Sequence, residues 1–558
     1  MKNKVRKTLS LFLALMMLYA APFLPAAAAE TVDVTTLYKA RDAEAAWSEE
    51  EARSIDLNTV ENKTVRITEE GDYVLSGTLN GQVLIEAPED AKVRLILNGV
   101  SIVSPEGPAI YEQQADKLII TLAEGTENNL TDGSPVTDED DTIGAALYAE
   151  DDLSINGQGT LTVNGTQKHG IQSKADLIIA GGAITITAVA DGVRGRNSVL
   201  VLEGALGITC GGDGITATRT DAEGKGWIVL AGGTTQIRTG DGAGEVQVSS
   251  KGRSGGFGGR GGRDDWGASS GSSDSGVSQK AVKAATDLTV LGGTCTLDCA
   301  DDGLHAVNIT VAGGTFSIQS GDDAMHADQT LTVSAGTIDI SQSYEGLEAQ
   351  NVTISGGTAR IFSSDDGINA SGGADGSGFG GWGRGSGYSA SESTGMLSIS
   401  GGQIEVTAGG DGLDSNGSIQ ISGGVTGVWA ATTTGEGAID FNGSGTVSGG
   451  TLIVASTGGV MQDTAGLSGQ TIMAFSASGS AGETIMLRDK DGTELGSFTP
   501  GQAFDTLMIS SAQLAEGDLC TVTAGEKTLY SGQVTNSLSG AEGGNGFGGG
   551  RNNRRKGW

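Results

Sequence analysis

Apolar and polar residues alternate in short runs along this chain, and the runs recur at a fixed spacing. Asp302-Gly-Leu-His-Ala is followed by Asp323-Ala-Met-His-Ala, 21 residues on (323 − 302 = 21). The next copy begins at Glu345, 22 residues later, and we call the acidic residue that begins each copy its corner. Each corner leads into an alternating run such as Leu331-Thr-Val333, a turn of small residues, and a second run. Alternation with a period of two is typical of β-strands, and the i, i+3, i+4 spacing of helices is absent.

The repeat predicts the fold. Two or three short strands per repeat, separated by Gly-rich turns, are typical of one coil of a parallel β-helix, in which each coil stacks on its neighbours to bury its apolar face. We predict an all-β fold, a right-handed parallel β-helix of about 21–22-residue coils over residues 60–457. The 21–22-residue period is lost after residue 457. Alternating runs with tight turns over residues 458–539 predict a small antiparallel β cap on the open end.

Gly-rich segments interrupt this pattern. The chain has 558 residues, of which 94 are Gly and only 4% are aromatic. Insertions at 244–278 and 371–393 and a Gly/Arg-rich tail at 540–558 are too rich in Gly to bury a core, so we expect them to be flexible. Both insertions are expected to leave just after an acid-Gly corner. Residues 30–59 form a lead-in to the first coil.

The N-terminus predicts a signal peptide over residues 1–29. Four basic residues precede the apolar run Leu9 to Tyr19, and Ala27-Ala28-Ala29 supplies a cleavage site. The run is too short to span a bilayer, so we expect a secreted protein without a transmembrane segment. Removing the four positive charges changes the formal net charge from −34 to −38 (−34 − 4 = −38). Such a chain repels nucleic acid and anionic surfaces unless cations intervene.

Acidic residues recur at one corner of the coil. Since stacked coils lie about 4.8 Å apart, we expect a column of carboxylates formed by Asp191, Asp213, Asp241, Asp302, Asp323, Glu345, Asp366 and Asp411, with second acids at Asp301, Asp322 and Asp365. Neighbours at this spacing repel by about 3.5 kcal/mol at an effective dielectric of 20. Calcium, which prefers oxygen ligands, is therefore the predicted cofactor. Asp-Gly is also a favourable turn pair, but that does not explain the Asp-Asp pairs.

A second set of polar residues follows each corner acid by three positions: His305, His326, Glu348, Asn369 and Asp414. We expect these side chains to point outward as a polar ledge that hydrogen-bonds a ligand. Transition-metal binding by the two histidines beside Glu348 is the weaker alternative, because the remaining ligands of a typical zinc site are missing.

The phrases "VRLILNGVSI", "DDLSINGQGTLTVNG" and "HGIQSKADLII", together with the acid-Gly corners, resemble secreted bacterial carbohydrate-binding proteins built as right-handed parallel β-helices. That family is related in fold to calcium-dependent pectate lyases. The resemblance spans about residues 60–530. It implies calcium in the corners and non-catalytic binding of acidic plant-wall polysaccharide such as pectin or polygalacturonate, with cellulose as a further candidate. Trp382, in the second insertion, is a candidate for stacking on sugar rings.

Two alternative functions stay open. A pectate-lyase-like enzyme needs a Lys or Arg base beside calcium. Within residues 281–457 the basic residues are Lys283, Arg360 and Arg384, with Arg384 in an insertion and the other two expected away from the column. The cluster of Lys168, Lys174, Arg194 and Arg196 near Asp191 is the candidate lyase site.

A structural cell-surface adhesin is the other alternative, with the coils as a stalk and the Gly-rich loops as contacts. The basic tail could hold the protein electrostatically to an anionic cell-wall polymer, through Arg551, Arg554, Arg555 and Lys556.

Overall fold

The computed structural model of the protein describes residues 32–61, 63–137, 142–244, 277–371, 395–431, 437–457 and 466–537. The predicted signal peptide, the tail, most of both Gly-rich insertions and Trp382 lie outside these ranges. Within them, no helix is long and apolar enough to cross a bilayer. The helical segments are the short turns Val34–Thr36, Ala40–Ala43 and Leu57–Thr59.

The chain winds through three parallel sheets, which we call the corner, second and third sheets. The corner sheet contains Thr64–Ile67, Gln82–Glu86, Ile110–Gln114, Ala145–Ala149, His169–Ser173, Val193–Gly195, Ile215–Ala217, Val282–Ala284, Ile368–Ala370 and Leu413–Ser415. The second sheet contains Arg53–Asp56, Lys117–Leu122, Asp152–Gly157, Trp227–Leu230, Asp287–Val290, Met396–Ile399 and Leu467–Gly469. The third contains Glu127–Thr131, Thr160–Gly165, Thr234–Thr239, Thr294–Cys299, Thr315–Ser320, Thr337–Gln342, Thr358–Phe362 and Gln403–Ala408.

Longer strands bend from one sheet into the next. Those passing from the second sheet into the third are Gly71–Asn80, Lys92–Val103, Asp176–Ala188, Ser198–Cys210, Ser418–Ala431 and Gly445–Thr457. Those passing from the corner sheet into the second are Leu304–Val311, Met325–Val333 and Leu347–Ile354. Equivalent residues of the repeat stack directly, as Leu304 does on Met325. The predicted parallel β-helix is confirmed.

The inward residues form a continuous apolar core. Leu153, Leu177, Val199, Ile228 and Leu288 stack in register, and each is fully buried. Burial of such a side chain contributes about 1.5–3 kcal/mol. The core therefore grows coil by coil, as expected for a solenoid whose repeats cannot fold alone.

Glycine permits the turns between the second and third sheets. Gly314, Gly336, Gly357 and Gly402 follow one another up the stack with φ of 88°, 100°, 83° and 87°. Side chains with a Cβ rarely adopt this left-handed region. The small-residue turns predicted from the sequence are these stacked corners.

The lead-in packs on the second sheet. Asp42 is buried, pairs with Lys117 Nζ at 2.5 Å, and accepts a hydrogen bond from Ser154 Oγ over 2.9 Å. Arg94 donates to the carbonyl of Glu44 over 2.8 Å. The parallel coils begin at Arg53, before the predicted start at residue 60.

The C-terminal unit is antiparallel, as predicted. Phe504–Ser511 pairs with Gly445–Thr457 and with Ile472–Gly479 and so extends the third sheet. A separate four-stranded sheet is formed by Glu494–Phe498, Ile485–Asp489, Leu519–Ala524 and Lys527–Gln533. A second apolar cluster, which includes Trp429, Ile453 and Phe498, fixes this unit to the last coils. A two-stranded sheet, Val136–Thr137 with Thr142–Ile143, projects from an earlier coil.

Glu112 gives a testable pH dependence. Its side chain is fully buried, Oε2 accepts the Asp151 N–H over 3.0 Å, and Oε1 has no partner among the described residues. Burial raises the pKa of Glu112 to about 7. Because the pKa of Glu112 is higher in the folded than in the unfolded protein, proton binding at Glu112 stabilises the folded state. This contribution to the free energy of unfolding is complete below pH 4.5 and is lost as pH rises through 7.

We therefore expect Glu112→Gln to be more stable than the wild-type protein at pH 8.5, by about 1–3 kcal/mol. The difference should shrink or reverse at pH 4.5, which urea unfolding at the two pH values would measure. A difference that does not change with pH would contradict this assignment.

Candidate functional site

The backbone fixes which residue occupies the corner of each coil. The residue after each corner residue donates its backbone N–H to the carbonyl of the corner residue in the next coil. Gly192 N–H donates to the Asp213 carbonyl and Gly303 N–H to the Asp323 carbonyl, both over 2.9 Å. Followed through the coils, this pattern defines the corner column: His169, Asp191, Asp213, Lys280, Asp302, Asp323, Glu345, Asp366 and Asp411. Every predicted corner acid except Asp241 is a member.

The prediction for Asp241 is wrong. Asp241 lies in an exposed turn after the strand Thr234–Thr239, where its carbonyl accepts from Arg238. The corner of that coil is Lys280, whose carbonyl accepts the Gly214 N–H over 2.9 Å. The first insertion thus leaves before a corner and the second after the strand Ile368–Ala370, so they do not leave from equivalent points.

The glycine after Asp411 is required by packing, whereas Ala281 and Ala324 occupy the same position in other coils. A Cβ at Gly412 would lie 2.2 Å from Val428 Cγ1 and 2.7 Å from the carbonyl oxygen of Ala438 in the next coil. Real Cβ atoms do not approach neighbours this closely, so a side chain would push the coils apart. This accounts for Gly412 without reference to a ligand.

The corner acids also have a structural role. Asp191 Oδ1 accepts the backbone N–H of Asp213 over 3.1 Å, and Asp366 Oδ1 accepts that of Asp411 over 2.7 Å. Each carboxylate thereby links its coil to the next and satisfies a buried donor. An acid at the corner stabilises the stack whether or not a cation is present.

The N-terminal part of the column has side-chain partners of its own, of which Arg194 is the cation, because burial lowers the pKa of His169. Asp191 Oδ2 lies 3.2 Å from His169 Nδ1 and 2.7 Å from Arg194 Nη1. Burial opposes ionisation of Asp191, but these two neighbours outweigh it and lower its pKa. At Asp213, by contrast, burial and the charge of Asp191 raise the pKa, and the positive charge of Lys283 offsets this only in part.

Lys280 is the cation that the sequence analysis missed. Its side chain is fully buried, and Nζ lies 2.9 Å from Asp301 Oδ1 and 2.5 Å from Asp302 Oδ2. Burial opposes ionisation of Asp302, but a hydrogen bond with His305 and the charge of Lys280 lower its pKa. An ammonium group of the protein therefore lies between carboxylates that were predicted to bind calcium.

The residues three positions after the corner form a second column. Strand register aligns Arg194, Thr216, Lys283, His305, His326, Glu348, Asn369 and Asp414, and continues to Asp440. Lys283, which was expected to lie away from the corner column, is not a member of that column but lies in this second one, where it pairs with His305. The predicted ledge is also largely closed: His305, His326 and Asn369 are 4%, 2% and 6% exposed.

The two histidines stack between acids. Their ring centroids are 5.1 Å apart and the planes differ by 14°. His326 Nδ1 lies 3.0 Å from Asp323 Oδ2 and 2.6 Å from Glu348 Oε2. Burial alone would lower the pKa of His326, but these carboxylates raise it to about 11. His326 is thus a protonated cation that neutralises one negative charge, while burial raises the pKa of Asp323.

Beyond His326 the columns become acidic. We call Glu345, Glu348, Asp365, Asp366, Asp411, Asp414 and Asp440 the acidic segment. Burial, followed by the charges of Asp323 and Glu348, raises the pKa of Glu345 to about 10. At the far end, Asp411, Asp414 and Asp440 each offer a carboxylate oxygen, and these oxygens lie within 4.8 Å of one another.

Asn369 adds an oxygen to this region. Its Nδ2 donates to both carboxylate oxygens of Glu345, over 3.1 and 3.0 Å. Its Oδ1 is buried and has no donor among the described residues. An amide oxygen in this position can accept a hydrogen bond or coordinate a cation.

Tyr344 is an exposed aromatic residue beside the acidic segment. Its side chain is 47% exposed and hydrogen-bonds the Asp365 carboxylate. Backbone hydrogen bonds of 2.9 Å place it between Asp322 and Asp365 of the adjoining coils. The sequence contains no pattern that distinguishes this tyrosine from a buried one.

The candidate lyase site has few basic groups available. Arg194 is held by Asp191, Arg196 lies 3.9 Å from Asp221, and Lys174 also has an interaction partner. A general base must be able to reach and take a substrate proton. The arrangement therefore does not favour catalysis at this cluster.

Comparison with known proteins agrees with a role in carbohydrate binding. Residues 61–324 match a family described as carbohydrate-binding domain-containing proteins. A protein of that description from Acetivibrio thermocellus is 42% identical over 196 residues, which are 34% of this chain and 68% of the relative. The chain belongs to this family. The carbohydrate-binding domain match ends at Ala324, so the acidic segment lies beyond it.

A solved structure was also found, a gadolinium derivative of a protein from C. thermocellum described as polysaccharide lyase-like. It shares 26% identity and covers 48% of this chain and 94% of its own, with a TM-score of 0.36. At this TM-score the similarity supports no conclusion about this chain.

Proposed function

We propose that the protein is an exported, non-catalytic polysaccharide-binding protein that holds acidic polysaccharide through calcium at the acidic segment. The observation that carries the proposal is the excess of carboxylates beyond His326, of which Asp411 is buried and the others are half-buried. Glu345 and Glu348 lie among further acids, and in the described part of the two columns His326 is the cation beside them, whereas Arg360 of these coils lies on the third sheet. A divalent cation would neutralise such a segment and add attraction for the carboxylates of a ligand.

The donor atoms fit calcium. Asp411, Asp414 and Asp440 offer carboxylate oxygens within 4.8 Å of one another, and Asn369 offers a buried amide oxygen nearby in the second column. Oxygen ligands of this mixed kind are those that calcium prefers. Asp323, Glu348 and His326 also converge, but there the histidine proton supplies the positive charge, so we favour the Asp411 end.

Binding rather than catalysis is supported by the state of the basic residues. Lys280, Arg194 and His326 lie in the columns, and each is paired with carboxylates. Residues held in this way neutralise charge and are poorly placed to move a substrate proton. Tyr344, exposed beside Asp365, would supply a ring surface against which a uronate could stack.

Export is proposed from the predicted signal peptide, and retention at the cell wall from the basic tail. Pectin or polygalacturonate is the proposed ligand, and cellulose is the neutral alternative. A pull-down of the mature protein with polygalacturonate, cellulose and a bacterial cell-wall preparation, each with calcium or chelator, tests the assignment.

We expect retention on polygalacturonate with calcium and its loss with chelator. Retention by the cell-wall preparation alone would favour an adhesin. Release of unsaturated uronate products, followed by absorbance, would instead indicate a lyase.

A further inference from the structure

A cleft lies away from both columns, where the cap meets the third sheet. It has a volume of about 230 Å³, and its lining includes Asp339, Arg360, Phe362, Glu405, Thr499 and Gly501. The first four lie on neighbouring strands of the third sheet, and the last two belong to a loop of the cap. Junctions between structural units are frequent places for small-molecule sites.

The two walls of the cleft are fastened to each other. Gly501 N–H donates to Thr407 Oγ1 over 3.3 Å, and the Thr499 N–H donates to the Glu405 carboxylate. The cap cluster around Phe498 packs beside this loop. The cleft is therefore pre-formed, and ligand binding would not require the walls to be ordered first.

Arg360 is the unusual residue of this cleft. Strand register places it directly between Asp339 and Glu405, yet its guanidinium makes no ion pair within 4.0 Å of either carboxylate. The side chain is exposed. Its planar group offers five N–H donors in a fixed geometry, which suits pairs of ligand oxygens.

The groups that line the cleft match the chemistry of a sugar. Asp339 and Glu405 offer carboxylate oxygens for hydroxyl groups, Arg360 offers donors for hydroxyl or ring oxygens, and the half-buried Phe362 offers an apolar surface. We infer that this cleft binds one ring of an uncharged hexopyranose chain without a metal ion.

Size and charge select the ligand class. Small-molecule pockets have volumes of roughly 300 Å³ or more, so a cleft of about 230 Å³ suits a single ring. Its two acids and one arginine give a formal charge of −1 (−1 − 1 + 1 = −1), which disfavours a uronate or a phosphate. The inference rests on the carbohydrate-binding function proposed above but does not depend on calcium.

The test is titration of the mature protein with cellobiose and with digalacturonate in buffer containing chelator, by calorimetry. Cellobiose should bind and digalacturonate should bind more weakly. Arg360→Met should weaken cellobiose binding about tenfold, because a charged hydrogen-bond donor is lost. Arg488→Met, which removes the same charge from the cap, should leave the affinity unchanged.

The inference is overturned if cellobiose does not bind the wild-type protein, if Arg360→Met binds it equally well, or if digalacturonate binds as tightly. Retention on polygalacturonate with calcium is measured on the same preparations. If retention persists while cellobiose does not bind, the cleft assignment fails and the proposed function stands. If cellobiose binds but polygalacturonate is not retained, the proposed function fails and the cleft assignment stands.

Discussion

Replacing Lys280 by Met is expected to destabilise the protein by about 3–5 kcal/mol. The substitution removes a fully buried ammonium that lies 2.9 Å from Asp301 Oδ1 and 2.5 Å from Asp302 Oδ2. Asp302, which is also fully buried, then keeps its contact with His305 but loses the ammonium that offsets its charge. Urea unfolding at pH 7 measures the loss directly.

The double variant Lys280→Met, Asp302→Asn separates loss of the pair from loss of packing. With both charges removed, part of the lost stability should return, because the desolvation cost of Asp302 disappears. The single Asp302→Asn variant completes the cycle. A Lys280→Met protein as stable as wild type would show that the ammonium does not neutralise the column.

Calcium is expected to stabilise the mature protein through the Asp411 end of the acidic segment. Binding to the folded state alone contributes about 2.7 kcal/mol per site at a hundredfold excess over Kd. The oxygens of Asp411, Asp414 and Asp440 lie within 4.8 Å of one another. Changing all three to Asn should abolish most of the rise in melting temperature that calcium produces.

A matched control removes three acids elsewhere. Glu124, Glu127 and Glu203 are exposed and lie outside the columns, and their replacement by Gln changes the net charge equally. This variant should keep the full calcium response. An equal loss of response in both variants would indicate a general charge effect, and no response in the wild-type protein would reject the calcium site.

The repeated sequence motif was sufficient to predict the coils of the β-helix. An acidic residue followed by glycine was not sufficient to identify which residue lies at the corner of a coil. Asp241-Gly has the composition of a corner, yet it lies in a turn before an insertion. Lys280-Ala-Val-Lys-Ala has the order of small, apolar, basic and small residues that follows the first residue in Asp323-Ala-Met-His-Ala, and its first residue has the opposite charge. Aligning the whole phrase would have found Lys280 and placed Lys283 beside His305.

Side-chain exposure could not be predicted in this way. The sequence predicted the second column, and the register of His305, His326 and Glu348 agrees with it. It did not predict that both histidines are almost fully buried, or that Tyr344 is exposed. Period-two alternation separates inward from outward positions, whereas the exposure of an outward side chain depends on neighbouring coils and on contacts distant in sequence.

Calcium-mediated binding is tested by a binding isotherm of the mature protein on polygalacturonate, with calcium and with chelator. The strong negative charge of the protein should prevent binding to a polyanion unless cations intervene. We predict saturable binding with calcium, none with chelator, and a large loss in the Asp411→Asn, Asp414→Asn, Asp440→Asn variant but not in the glutamate control. Equal binding in chelator, or by the aspartate variant, would contradict it.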